Sequence, residues 1–522
     1  MAEILSRFEQ SRLEPVIGRQ VLDIITSGMY DDPLMVYREY IQNAVDSIDL
    51  GIEKQILDSD EGEISIDISG SNRSVRIQDN GIGIPNSEAK VVLINLGCSP
   101  KEGLNLRGFR GIGRLGGLGY CELLRFETRS RAQEEVSVVE WNRRYLDEEL
   151  KGARKEATLI ETIKKVARGY LRQPRKEDPE HFLRVEMTNV YKFHSDSLMD
   201  IKRVVEYLSQ VAPVPYNPSK FSFASKLNEQ FSRIQDFRTY KICLNGEQVF
   251  RPYEDSVMIS NDRKDRINNL ECFEFLDKKG NPLALGWYAK TNFMASFPSQ
   301  VTMRGIRVRQ GNIEIGDEYF LADMYTERRF ATWNIGELHI WNHNLKPNAR
   351  RDGFEQTDNY ERFLEQANAL GRHLSTLCRK HSLQRSLNIR LECEIKALER
   401  IVNNLKFVID REHLETIKTK VEESLKRIKP LIERGNGEGE LRRRLQAIIN
   451  KSEKIGESAK YLGDYLDGRS VRHIPKKELM QKVCRAILDE YQGSKSAHEL
   501  VDKILYSFLK PRNKHKQRRR GR

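Results

Sequence analysis

Three groups of residues in the first quarter of the chain have types and spacings suited to phosphate chemistry. Glu39, Asn43 and Asp46 lie four and three residues apart, and at about 100° per residue a helix would carry them within roughly 60° of one stripe. Two acids and an amide would share that stripe, although a solvated helix face carries the same residue types. The second group is Asp79-Asn80-Gly81-Ile82-Gly83-Ile84-Pro85. Its glycines let a backbone approach a ligand and its carboxylate can accept a hydrogen bond from an amino group; alone, it is also what a simple turn looks like. The third is Gly108-Phe109-Arg110-Gly111-Ile112-Gly113-Arg114-Leu115-Gly116-Gly117-Leu118-Gly119, whose amides can cradle phosphate oxygens. Gly111, Gly113 and Gly116 match G-x-G-x-x-G, but Asn105-Leu106-Arg107 ahead of them is no buried strand, so a dinucleotide fingerprint is rejected. The chain contains no G-x-x-x-x-G-K-[ST] loop.

Each group needs an element to hold it. Asp32-Pro33 predicts a helix start, with Asp as cap and Pro at the first helical position; Leu34, Tyr37, Ile41, Ala44, Val45 and Ile48 would form its buried face. Residues 63–79 predict a hairpin: Ile64, Ile66 and Ile68 alternate, Gly70-Ser71-Asn72-Arg73 turns, and Val75 and Ile77 alternate into Asp79. Val136–Trp141 and Phe182–Val190 read as strands, with surface helix and loop between them, and a first domain is expected over 1–205. Residues 206–353 mix strand and turn, as at Tyr240–Leu244 before Asn245-Gly246 and Gln300–Arg309 before Gln310-Gly311-Asn312, predicting a second α/β unit. After Gly353 the strand signals stop. Leu391, Ile395, Leu398, Val402, Leu405 and Ile409, then Leu414, Ile417, Val421, Leu425 and Ile428, predict one long amphipathic helix ended by Pro430 and Gly435–Gly439. Helices over about 440–467 and 475–509 would complete a helical region at 354–510. The apolar seam suits either a coiled coil between two chains or a bundle within one. The tail, 511–522, carries seven Lys or Arg and no acid, which predicts disorder.

Composition narrows the classes. At 522 residues the chain has room for roughly three domains, and 39% hydrophobic with 31% charged residues excludes a wholly disordered or collagen-like protein. No apolar run approaches the ~20 residues of a membrane span, so no membrane partner is expected. Met1–Arg7 lacks the apolar stretch of a secretory signal. Seven cysteines without a Cys-x-x-Cys pair read as a reduced, cytoplasmic protein without structural zinc. The net charge of +12 permits a polyanionic partner.

In this order and spacing the three groups resemble the GHKL (Bergerat-fold) ATPases, a superfamily that includes gyrase, the ninety-kilodalton heat-shock chaperones, histidine kinases and the MutL proteins. The resemblance covers about residues 15–190, and Tyr30–Ser47 looks most like the heat-shock 90 branch. It implies an α+β chain: an N-terminal Bergerat-fold α/β sandwich, an α/β transducer (ribosomal S5-like) middle domain and an all-helical C-terminal region. It further implies ATP and Mg²⁺ as ligands, with Glu39 as general base, Asn43 as the metal ligand and Asp79 reading the adenine amino group. Asp46, Gly81 and Gly83 would join the nucleotide site, and Ser99, Lys101, Gly108, Gly111, Ile112 and Gly113 would surround the phosphates. Leu345–Asp352 is similar to the chaperone middle-domain loop that ends in Asn-x-x-Arg-Glu, whose arginine reaches the γ-phosphate. Arg351 takes that role by resemblance, with Arg350 as the neighbouring alternative, and Met303–Gln310 looks like the strand before the loop.

The chain also departs from that pattern. No Gly-Thr precedes Arg184-Val185-Glu186-Met187; Phe182-Leu183 stand there. The lid, Gly97–Gly103, carries Ser-x-Lys and is closer to the MutL and MORC pattern, and the C-terminal helices lack similarity to the chaperone dimerisation domain. No phosphoacceptor helix precedes the three groups and no later domain offers a catalytic tyrosine context, so histidine kinase and topoisomerase are set aside. The resemblance implies an ATP-hydrolysing homodimeric clamp that grips a protein client or partner subunit. The alternatives are a MORC- or MutL-like clamp holding nucleic acid through the basic tail, and an ATP-sensing component of a bacterial defence assembly.

Overall fold

A computed structural model describes residues 17–27, 32–96, 113–151, 158–192, 195–234, 237–260, 262–341, 345–348, 350–404, 411–434 and 439–466, together with Leu500 and Lys503. The described chain is α+β, with two main sheets followed by helices. It divides into a compact unit over 1–382 and a second over 383–522.

The 63–79 alternation forms the expected hairpin: β1 (Glu63–Ser69) and β2 (Ser74–Asp79) pair antiparallel and bury Ile64, Ile66, Val75 and Ile77. β2 pairs with β6 (Phe182–Val190), followed by β3 (Cys121–Arg129), β4 (Val136–Asn142) and β5 (Ala167–Arg172). β5 lies within the charged stretch read as helix and loop. It is an edge strand with no buried residue, so no buried alternation marks it. On the far side β1 pairs in parallel with β7 (Lys241–Leu244), and the Asn245-Gly246 turn, both residues at positive φ, leads to β8 (Glu247–Gln248). The eight-stranded sheet thus takes its last two strands from beyond residue 205.

The helix Met35–Glu53 packs on β1 and β2, and its Tyr37, Ile41, Ala44, Val45 and Ile48 share one core with Ile66, Ile77 and Phe126. Burial of each such side chain contributes about 1.5–3 kcal/mol. The start differs from the expected one. Asp32 Oδ1 accepts the Leu34 N–H at 3.0 Å and the Met35 N–H bonds the Asp32 carbonyl, so Asp32-Pro33 form a capping turn and the helix begins at Met35.

The second sheet follows the hairpin of β9 (Ser256–Ser260) and β10 (Arg263–Arg266). It runs β11 (Asn269–Leu276), β12 (Pro282–Lys290), β15 (Ile335–Ile340), β13 (Gly305–Gln310), β14 (Ile313–Ile315). The helix Asp358–Asn404 begins in the first unit, burying Phe363, Ala367, Leu374 and Cys378 against this sheet's core.

In the second unit the single long helix expected over the seam is two helices, Asp358–Asn404 continuing into it and Arg411–Arg434, with 405–410 outside the described residues. Pro430 does not end the second; the helix runs on through it to Arg434. Leu391, Ile395, Leu398, Val402, Ile417 and Ile428 are buried together with Leu445 and Ile448 of the helix Gly439–Leu466. Among the described residues, this part of the seam is covered within one chain. The helix expected at 475–509, apart from Leu500 and Lys503, and the basic tail lie outside the described residues. No helix among the described residues is long and apolar enough to cross a membrane.

Candidate functional site

The helix Met35–Glu53 is held from its apolar side by two phenols. Tyr37 Oη donates to the Leu198 carbonyl at 2.7 Å, while Tyr40 Oη donates to the Arg114 carbonyl and accepts the Gly117 N–H, each at 3.0 Å. The 3₁₀ turn Gly113–Gly119, the end of the glycine run, is thereby pinned to the helix. A Cβ at Gly117 would meet Tyr40 Oη at 2.3 Å, so this approach requires glycine. On the polar stripe Asp46 is fully buried, Asn43 is half-buried and the Glu39 side chain keeps 14% of its surface exposed.

Asp79 ends β2, is 3% exposed, and accepts the Gly81 N–H on Oδ1 at 2.9 Å. The turn after it is wedged between elements. A Cβ at Gly81 would lie 2.1 Å from Ser47 Oγ, and one at Gly83, whose φ is +65°, would lie 2.0 Å from the Arg129 carbonyl oxygen. The Ile82 N–H bonds the Ser47 carbonyl at 3.2 Å. Thr128 Oγ1 accepts the Ile84 N–H at 2.8 Å and donates to the Phe182 carbonyl at 2.9 Å, and His181 Nδ1 is 2.8 Å from the Gly81 carbonyl oxygen. Ser99, Lys101, Gly108, Gly111 and Ile112 lie outside the described residues; Gly113 opens the 3₁₀ turn.

The 345–354 loop closes on itself. Pro347 bridges Phe354, the Asn348 N–H bonds the Gly353 carbonyl at 2.9 Å, and Asn348 Nδ2 donates to Asp352 Oδ1 at 2.5 Å. Arg351, 8% exposed, sits at φ +57° and its carbonyl accepts the Gly316 N–H at 2.8 Å; Arg350 is exposed. Arg38, 4% exposed, ties this loop to the stripe: its Nη2 donates to the Arg350 carbonyl at 2.9 Å and lies 4.0 Å from Glu39 Oε1. Nothing near Arg38 in sequence signals a partner 312 residues away. Thr128 and His181 likewise carry no local signal.

The donor set fits a nucleotide with a hard cation. A buried carboxylate on a glycine turn suits an amino group, and the Asn43 carboxamide and the Glu39 and Asp46 carboxylates offer oxygen. Among the described residues no group of three or more His, Cys, Asp or Glu is placed to hold a metal by itself.

Residues 36–169 match the family described as Histidine kinase-, DNA gyrase B-, and HSP90-like ATPase. Over 90 residues the chain is 33% identical to Chaperone protein HtpG of Acinetobacter baylyi, an alignment covering 16% of this chain and 14% of that protein's length. The family match takes in the Glu39–Asp46 stripe, both hairpin strands and the Asp79 turn. Residues 36–169, which carry these groups, match an ATP-binding domain of the GHKL type.

Proposed function

We propose that the chain is a Mg²⁺-dependent ATPase working as a homodimeric clamp of the heat-shock 90 kind, which couples hydrolysis of the ATP γ-phosphate to its grip on a protein client or partner subunit. Glu39 is the general base for the attacking water, Asn43 the protein ligand to Mg²⁺, and Asp79 the reader of the adenine amino group. Arg351 places positive charge where it develops in the transition state. The Arg38 bridge carries this reading: one guanidinium touches the arginine loop and faces Glu39, so helix and loop meet within one unit. Turnover then depends on how firmly that loop seats. Exposed Ile17, Val21, Ile24 and Ile160, with the Ile17 carbonyl bonded to the Leu159 N–H, support a second copy docking beside the nucleotide domain.

Isothermal titration with MgATP tests the assignment. Asp79→Asn should abolish binding without altering the unfolding midpoint; unchanged affinity would remove Asp79 from the site.

One observation favours a second reading, a nucleic-acid clamp. Residues 1–382 hold 54 basic and 56 acidic side chains, whereas 383–522 hold 34 and 20, so the whole positive excess lies in the second unit. Each phosphate neutralised there lowers log affinity for duplex DNA by about 0.9 per decade of salt. Deleting 511–522 should flatten that slope by several units without changing ATP turnover. No DNA binding at physiological salt, with or without the tail, would sink this reading and leave the ATPase untouched.

A further inference from the structure

Two glycines leave the Asp79–Ile84 turn little stiffness of its own, yet it carries the carboxylate assigned to the base. Gly81 is gripped from both sides: its N–H by Asp79 Oδ1 at 2.9 Å and its carbonyl by His181 Nδ1 at 2.8 Å. A carbonyl has no proton to give, so Nδ1 carries the hydrogen of this contact.

His181 ends the loop that joins β5 to β6, and that loop is anchored by charge. Asp178, its side chain fully buried, accepts from Arg172 Nη1 at 2.6 Å, Arg184 Nη1 at 3.0 Å and the Arg175 N–H at 2.8 Å. Glu127 on β3 accepts from Arg172 Nη2 at 2.7 Å and Arg184 Nη1 at 2.8 Å. Burial alone would raise the Asp178 carboxyl, but the bonds from Arg172, Arg175 and Arg184 hold it at about 2. The loop therefore keeps its ion pairs across the pH range in which the protein works, and it delivers the imidazole to Gly81 from a rigid support.

We propose that His181 is a positioning residue of the nucleotide site, its imidazole fixing the Gly81–Ile82 peptide so that Asp79 stays aimed at the base. This rests on the ATP reading above. Without the ring, the Gly81–Ile82 peptide is held only by the 3.2 Å bond from the Ile82 N–H to the Ser47 carbonyl, and the Asp79–Gly81 bond that sets the carboxylate loses part of its support.

The test uses the full chain, MgATP titration, steady-state turnover and thermal unfolding without nucleotide. His181→Ala should weaken ATP binding on the order of tenfold, the scale of one buried hydrogen bond. The turnover number at saturating ATP and the unfolding midpoint should stay close to wild type. His181→Gln, whose amide can donate to the same carbonyl, should recover most of the affinity. Wild-type affinity in His181→Ala would overturn the proposal. So would equal weakening in both variants with a lowered midpoint, which is the signature of a merely structural contact. Asp79→Asn separates the two claims: if it abolishes binding while His181→Ala binds ATP as tightly as wild type, only the role of His181 fails. If wild type binds no ATP, the nucleotide reading fails and this proposal with it.

Discussion

Two polar assemblies in the 1–382 unit are built on opposite terms. Glu337 on β15 is fully buried and saturated: Arg309 Nε donates at 2.8 Å, Tyr216 Oη at 2.5 Å, His339 Nε2 lies at 3.0 Å, and Arg251 pairs with the same carboxylate. Arg307 pairs with Glu314 at 2.7 Å beside it and with Glu318 at 3.4 Å, so three arginines face three glutamates. Burial would raise the Glu337 carboxyl, but Arg251 and Arg309 drive it well below the usual carboxylate range. The Glu39–Asp46 stripe has a half-open rim instead, where Glu39 meets Arg38 only at 4.0 Å. The saturated Glu337 carboxylate has no bonding capacity left for a ligand and works as a rivet between the 210–216 segment and the second sheet; an open rim keeps capacity for substrate.

Removing Glu337 is the hardest test of that contrast. Glu337→Ala removes the carboxylate with which both buried Arg251 and Arg309 pair and should cost about 3–5 kcal/mol in urea unfolding. A loss under about 1 kcal/mol would mean the cluster relaxes or takes up water, and the rivet description would fall.

The same network should make the fold acid-sensitive. Burial drives His339 down from 6.5 to about 4, outweighing its bond to Glu337. Between those two values the unfolded chain binds a proton that the folded chain does not, so stability falls as pH drops from about 6.5 toward 4. The total reaches roughly 3 kcal/mol. His339→Asn should flatten the stability profile over that window; an unchanged slope would place the sensitivity elsewhere.

The open stripe should respond in rate rather than in stability. Glu39→Ala should leave the unfolding midpoint close to wild type and still bind ATP, but turn over at least ~10²-fold more slowly, with ATP accumulating on the protein. Unaltered turnover would mean that Glu39 is not the base.

The two assemblies also differ in how far they can be read from sequence. Glu39, Asn43 and Asp46 are local, so helical spacing alone aligns them, and the Ile64–Ile77 alternation places Asp79 at a strand end. The Glu337 cluster gathers Tyr216, Arg251, Arg309 and His339 from across more than a hundred residues, and none looks unlike a surface charge or ring in its own neighbourhood. The parallel pairing of Lys241–Leu244 with β1 is long-range in the same way. It explains why a boundary at 205 follows from composition while the sheet runs past it. At the seam the periodicity of 391–428 marked the apolar face. It could not say that Leu445 and Ile448 of the same chain would cover that face.

The finest test lies in the loop that Arg38 ties to the stripe, at Arg351. A side chain at φ +57° costs a non-glycine residue about 1 kcal/mol, strain of the sort retained where function needs the geometry. Arg351→Ala and Arg351→Gly remove the same guanidinium, so both should lower turnover to the same extent with ATP affinity little changed. Only the glycine relieves the backbone, so Arg351→Gly should be the more stable of the pair by about 1 kcal/mol. Arg350→Ala, at the exposed neighbour whose carbonyl rather than side chain meets Arg38, should leave turnover near wild type. If Arg350→Ala is the slow variant and the Arg351 pair turns over normally, the loop's arginine is one residue earlier. The strain at 351 would then serve to seat the Arg350 carbonyl on Arg38.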